Sequence, residues 1–298
     1  MNDSRKGALV LLLSTFFFAA MSLAAKDLMG SYPASEVTFF RMSVGGVFCI
    51  TAFLTGAARF HVTRMSVLAT RGMLGGLAVF FYFQTVGLLN AGEATLINNT
   101  NVVFIALLSP LLLKEKVRWQ VYMGIGAGLA GVAIVVGAGF STEPFGKITG
   151  LFAALFTALA IMTIKNLRQD HGSIMIFFAF CIGGTVVSMF GAMQGGWLVP
   201  RDYDLLLMIL MGLFSTGGQV LFTWAMKHTN PLDTSVSSQL TVLWIYSWQI
   251  FVWGEKLTLF YAIGAAIIIA ACVYLGTVLG TGGKKGDRKT IAPEDIDI

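Results

Sequence analysis

Asn98, Asn99, Thr100 and Asn101 open an otherwise apolar run, INNTNVVFIALLSP, at residues 97–110. An amide offers two donors and an acceptor but no acid–base or nucleophilic reactivity. Such a cluster can hold a polar solute, or it can tie neighbouring helices together. On a helix turning about 100° per residue, Thr95, Asn98, Asn99, Asn101 and Ser109 share one side, and Leu96, Val103, Phe104, Leu107 and Leu111 share the other. Thr100 falls on the apolar side, where it can bond back to a carbonyl one turn earlier. A second run, TSVSSQLTVLWIYSWQ at 234–249, repeats the design: Thr234, Ser235, Ser238, Gln239, Thr241, Tyr246 and Gln249 lie on one arc. Two such stripes are expected to face each other across a wet cavity, because lipid offers these groups no partner.

Charged side chains within apolar runs are the other candidates. Arg41 sits about two turns inside its run, where a planar guanidinium can fork onto a carboxylate or make a structural pair. Arg71 lies nearer the end of the next run and is expected to snorkel to water, as are Lys26 and Lys165. Arg71, Gly75, Val79 and Tyr82 share one helical face; Ser215, Gln219, Phe222 and Met226 share another. Gln84 and Trp224 point away from these faces, and Gly75, Gly76, Gly217 and Gly218 permit close helix approach. The expected contacts with a bound solute are Arg41, Tyr82, Asn98, Asn99, Asn101, Ser215, Gln219, Ser238, Gln239 and Tyr246. Asn98, Asn101, Gln239 and Tyr246 stand foremost among them.

The elements that must carry these residues follow from composition. Of 298 residues, 56% are hydrophobic and only 12% charged, and the mean hydropathy is +0.78. Charge this sparse cannot clothe a water-facing surface, so the chain is expected to be an all-α integral membrane protein. Its net charge of +5 does not indicate nucleic acid, because the basic residues lie in short loops between apolar runs. Cys49, Cys181 and Cys272 are scattered in apolar runs and form neither a disulfide framework nor a metal spacing.

Ten runs have the length needed to cross a bilayer: 7–28, 35–56, 66–88, 93–113, 117–139, 147–168, 174–195, 204–227, 232–253 and 258–280. Arg5 and Lys6 before the first run imitate a signal peptide, but that run has a counterpart later and is read as a span. With the N-terminus cytoplasmic, the inner loops hold Arg5, Lys6, Arg59, Arg64, Lys114, Lys116, Arg118, Lys165, Arg168, Lys227, Lys284, Lys285, Arg288 and Lys289. The outer side holds Lys26, Lys147, Arg201 and Lys256. The positive-inside rule therefore puts both termini in the cytoplasm and the protein in the cytoplasmic (inner) membrane.

The chain also matches itself. Laying Asn90 on Asn230 brings Glu93 onto Asp233, Glu115 onto Glu255, Lys116 onto Lys256 and Gly124 onto Gly264. Residues 1–140 and 141–280 are therefore read as two five-span repeats, with 281–298 a charged tail expected to be disordered. Five is odd, so the second copy enters the membrane from the opposite side, the inverted arrangement common in secondary transporters.

The motifs FFR (39–41), RG and GG (71–72, 75–76) and EATLI…N…F…LLSPLLLKEKV (93–117) resemble the EamA-type drug/metabolite transporter superfamily, over residues 7–280. That resemblance implies ten helices in two inverted halves around a central cavity. It also implies carriage of small metabolites such as amino acids, often as export. The asparagine cluster departs from the apolar or aromatic filling more usual there.

Proton-driven pumps place a carboxylate or histidine at mid-membrane. Here Glu93 and Asp233 start their runs, where the macrodipole favours them, and His61, His171 and His228 lie in loops. A facilitator or exchanger is expected, rather than an obligate proton antiporter. HExxH, a phosphate loop and close acidic pairs within a span are missing. The glycines of GIGAGLAGVAIVVGAG (124–139) lack the preceding strand of a dinucleotide site and are read as helix packing. The sequence calls for no cofactor or metal, no nucleic acid, and a monomer or weak dimer in the bilayer. A carrier of neutral, for instance aromatic, amino acids is favoured. The rivals are a carrier of nucleotide-linked or sulfonium metabolites, with only Arg41 and Arg71 as cavity basics, and a membrane-embedded enzyme or channel-like scaffold.

Overall fold

The computed structural model describes residues 3–89, 91–112, 118–136, 143–192, 197–228, 237–253 and 259–282. Asn90, Lys114, Glu115, Lys116, Asn230, Asp233, Thr234, Ser235, Glu255, Lys256 and the charged tail lie outside the described residues, as do the side chains of Gln249 and Cys272. The helices are α1 Asp3–Leu28, α2 Ala34–Leu54, α3 Met65–Leu88, α4 Ala91–Asn99, α5 Asn101–Leu112, α6 Trp119–Val136, α7 Pro144–Leu167, α8 Ser173–Ala192, α9 Asp202–Ala225, α10 Leu240–Trp253 and α11 Leu259–Gly282. Among the described residues, six helices are long and apolar enough to cross a membrane: most of α1, α2, α3, α7, most of α8, and α9. Leu9, Leu13, Val47, Ile50, Phe190, Leu206, Leu213 and Phe251 project outward from the bundle, which in lipid is a favourable surface. The protein is a multi-pass, all-helical membrane protein.

The fourth expected span is not one helix. It breaks at Thr100, between α4 and α5. Thr100 Oγ1 donates to the Ile97 carbonyl at 2.7 Å and Asn101 Nδ2 donates to the Asn98 carbonyl at 2.7 Å. The backbone N–H of Thr100 tightens onto Ile97, three residues back. Side chains that compete for helix acceptors favour such a break. A similar irregularity falls at Gln239, between a helical turn at 237–238 and α10.

Helix pairing is as follows. α1 packs on α9, α3 on α7 and α8, α2 on α8 and α9, and α6 on α11; α4 and α5 lie against α7 and α10 against α1. α3 and α8 approach each other closely. A Cβ on Gly76 would lie 2.8 Å from the backbone of Gly183 and Gly184, and one on Gly183 would run into the backbone of Gly72. Only glycine on both helices lets the backbones meet at that range. Most other small polar residues in the bundle satisfy themselves. Ser14, Ser22, Thr38, Thr85 and Thr216 each donate to a carbonyl of their own helix.

Two apolar clusters stack along the bundle. One joins Leu11, Leu68, Ile105, Ile164, Ile176 and Met226; the other joins Ala25, Leu28, Val37, Phe83, Val86 and Met208. Each draws on α1, α3 and α9, so the long helices run from one cluster to the other. Polar ties reinforce both ends. At one end, Tyr32 Oη donates to Asp204 Oδ2 at 2.9 Å, the Leu198 N–H donates to Glu36 Oε1 at 2.8 Å, and Phe39 meets Trp197 edge-on at 4.8 Å. Desolvation and the bond to Asp204 push the Tyr32 phenol above its ordinary pKa of 10.0. At the other end, Arg64 pairs with Asp170 at 3.1 Å, and His171 Nε2 accepts from the Thr63 N–H at 3.1 Å.

Lys26 is half-buried at the end of α1. Its ammonium donates to the carbonyls of Val86 and Leu89, at 3.0 and 2.6 Å. It thereby satisfies orphan acceptors at the end of α3, where the macrodipole favours a cation. Lys26→Met is expected to lower stability by about 1 kcal/mol, measured as a fall in the thermal midpoint in detergent; an unchanged midpoint would show that water replaces the ammonium.

Candidate functional site

A cavity of about 150 Å³ lies among α1, α2, α3, α4, α5, α7, α8, α9 and the start of α10, between the two apolar clusters. Of the expected contacts, Arg41, Tyr82, Asn98, Asn99, Asn101, Gln219 and Ser238 line it. Ser215 stands behind Arg41 and accepts a hydrogen bond from its Nε. The face read for α3 is present: Arg71, Gly75, Val79 and Tyr82 all reach the cavity, with Gln219 and Phe222 opposite on α9.

Gln239 and Tyr246 are placed elsewhere. The Gln239 amide is fully buried against Gly128 of α6, and the Tyr246 hydroxyl packs against Gly92 of α4. At about 100° per residue both lie some 80–100° from Ser238, at the edge of the polar arc, and they meet neighbouring helices, whereas Ser238 and Thr241 line the cavity. Arg71 departs from its expected place in the opposite sense. It is 2% exposed and lies in the cavity instead of reaching solvent.

The cavity wall holds a connected set of polar groups. The Tyr82 hydroxyl shares hydrogen bonds with Ser22 Oγ at 2.9 Å and Thr95 Oγ1 at 3.0 Å. Thr157 Oγ1 donates to Asn98 Oδ1 at 3.2 Å. Three wall residues carry side-chain atoms with no hydrogen-bond partner: Arg71 at Nε and Nη1, Asn99 at Nδ2 and Asn101 at Oδ1. Buried polar groups in folded proteins are normally paired, so these atoms are hydrogen-bonding capacity in the wall that the protein itself leaves unmet. Phe18, Met21, Phe180 and Phe222 supply apolar surface beside them.

Two guanidiniums lie against Phe180. The Arg71 carbon lies 4.7 Å from the ring centroid and the Arg41 carbon 5.6 Å; Arg41 also lies 5.5 Å from the Phe83 ring. The ring faces partly stabilise both cations. Among the described residues no carboxylate lies within ion-pair distance of either arginine, and none lines the cavity.

Ser22 and Thr157 were not singled out from the sequence. Each is one hydroxyl in an apolar run, indistinguishable there from Ser14 or Thr38, which only bond back to their own helix. Tyr82→Phe tests the network. Ser22 and Thr95 keep their bonds to the Phe18 and Ala91 carbonyls, so the expected loss is about 1 kcal/mol, read as a thermal midpoint. A loss several times larger would mean that Tyr82 also holds α3 in place.

A lipid-facing helical bundle around a small polar chamber is the build of a membrane carrier of small solutes. The chain belongs to the EamA-like transporter family, whose pattern matches residues 5–137 and again residues 144–277. It is thus a membrane transporter of the drug/metabolite type. The pseudopaline exporter of Pseudomonas aeruginosa is 26% identical over 281 residues, covering 91% of this chain and 96% of the relative. Solute carrier family 35 member G1 of Homo sapiens is 26% identical over 284 residues, covering 89% of this chain and 77% of that protein. One crystal structure, at 21% identity, aligns with a TM-score of 0.77 over 92% of this chain and 99% of its own, which shows a shared fold.

Proposed function

We propose that this transporter carries amino acids, or small metabolites derived from them, across the cytoplasmic membrane by alternating access. Export is the favoured direction. The observation that carries the reading is the cavity itself: Arg41 and Arg71 for a carboxylate, amides and hydroxyls for polar groups, and aromatic rings for an apolar portion.

Two inverted five-helix repeats, 1–140 and 141–280, would provide the two-sided motion, with both termini cytoplasmic. The twofold match of the family pattern supports this. So does the pairing of helices: α1 on α9 becomes α7 on α3 when the first half is exchanged for the second, while α2 on α8 and α6 on α11 map onto themselves. The breaks at Thr100 and Gln239 fall at nearly equivalent places. Discontinuous helices near the bilayer centre are where secondary transporters bind their cargo. The name of the Pseudomonas relative supports outward transport. The cavity's described wall has no carboxylate, which supports facilitated diffusion or exchange over obligate proton antiport.

The test is counterflow in proteoliposomes with a panel of amino acids, amino-acid derivatives, nucleosides and sugars. Amino acids or their derivatives are expected to exchange. Exclusive exchange of nucleosides or sugars would overturn the substrate reading, and strong acceleration by a pH gradient at constant voltage would overturn the coupling.

A further inference from the structure

Arg41 and Arg71 are 4% and 2% exposed, both line the cavity, and Arg71 has two nitrogens without a hydrogen-bond partner. Their guanidinium carbons lie against the same ring and are no further apart than the sum of those two distances, about 10 Å. Burying one cation in a bundle is costly unless it is paired, and burying two side by side adds their mutual repulsion. The described wall holds no carboxylate to offset either. The Ser215 hydroxyl and the Phe83 and Phe180 rings solvate the pair in part without neutralising it.

We infer that the cargo is an organic dianion, a small molecule with two acid groups in excess of any basic ones, held by Arg41 and Arg71 beside Phe180; this rests on the carrier reading above. Among the amino acids and derived metabolites proposed above, a neutral zwitterion is the poorer fit and a derivative with added acid groups the better one. The zwitterion's carboxylate answers one guanidinium, its ammonium is repelled by both, and the described wall offers that ammonium only neutral acceptors such as Asn101 Oδ1. A dianion neutralises both arginines and meets the free Nε and Nη1 of Arg71 as charge-assisted acceptors. The Arg41 fork is steadied for this by the bond from its Nε to Ser215. The cavity's size agrees with a short molecule, since a single water needs about 10–15 Å³ of such space and the whole cavity measures about 150 Å³. Dicarboxylates and phosphate monoesters share this chemistry.

The experiment is counterflow of labelled succinate, glycerol 3-phosphate, leucine and choline in proteoliposomes of the full chain. Succinate, glycerol 3-phosphate or both are expected to exchange at least tenfold faster than leucine, and choline not to exchange; the two anions separate a carboxylate cargo from a phosphate one. In Arg71→Gln the ratio of dianion to leucine exchange should fall at least tenfold, and Arg71→Lys should restore part of it. Should Arg71→Gln fail to fold, the unmodified protein decides: the dianion should raise its thermal midpoint in detergent above that in sodium chloride of equal ionic strength, and leucine should not. Leucine exchanging as fast as both dianions overturns the inference and leaves the carrier intact. If no compound of this panel or of the wider panel above is exchanged or stabilises the protein, the carrier reading falls and takes the inference with it.

Discussion

Alanine in place of Gly183 is expected to lower stability by at least about 1–3 kcal/mol. The added Cβ would lie inside the backbone of Gly72 and 2.7 Å from the Met73 nitrogen. No side-chain rotation relieves a clash with backbone, so α3 and α8 must part. Parting them moves Arg71 and Tyr82 relative to Phe180, and transport should fall along with the thermal midpoint. Gly126→Ala is the control. A Cβ there meets nothing within 4 Å on the exposed face of α6, and helix propensity alone predicts a gain of up to about 1 kcal/mol. Equal midpoints for the two variants would show that the α3–α8 contact does not hold the bundle together.

Leucine at both Asn98 and Asn101 should reduce transport at least about 100-fold, at roughly 1.5–3 kcal/mol for each of two hydrogen bonds lost to a charged cargo, while the protein still folds. Asn98 accepts from Thr157, and Asn101 bridges the broken turn to the Asn98 carbonyl. Leucine removes both amides from the cavity, and its higher helix propensity favours closing the break. The measurement is counterflow, with size-exclusion elution in detergent as the check on folding. Unchanged rates would take both residues out of the site.

Much of this was legible in the sequence. Regions such as 66–88 and 204–227 are long and apolar, and bilayer thickness leaves them one structure. Unbroken helices also keep their phase, so the shared face of Arg71, Gly75, Val79 and Tyr82 could be computed and is found on the cavity. Phase survived the breaks, since Asn98 and Asn101, and likewise Ser238 and Thr241, reach the cavity from either side of them. Gln239 and Tyr246, at the edge of their arc, sit instead beside glycines of other helices, and nothing local to that stripe announces those glycines. Arg71 was misplaced for a different reason. Its depth from the helix end permitted snorkelling, but Gly75 one turn later leaves room for the guanidinium to fold back over Phe180. That attraction comes from α8, a hundred residues away in sequence.

The ties at the two ends of the bundle differ in kind. Arg64 and Asp170 form an exposed ion pair, worth little in itself and readily screened. Glu36 with Leu198, and Tyr32 with Asp204, are part-buried hydrogen bonds that mobile ions reach less easily. Ionic strength is therefore a sided variable for this molecule. Salt added to the compartment bathing Arg64 should weaken that tie, whereas the same salt opposite should change little. A liposome with unequal salt across its wall thus loosens one end of the bundle alone, by no more than the fraction of about 1 kcal/mol that such a pair is worth.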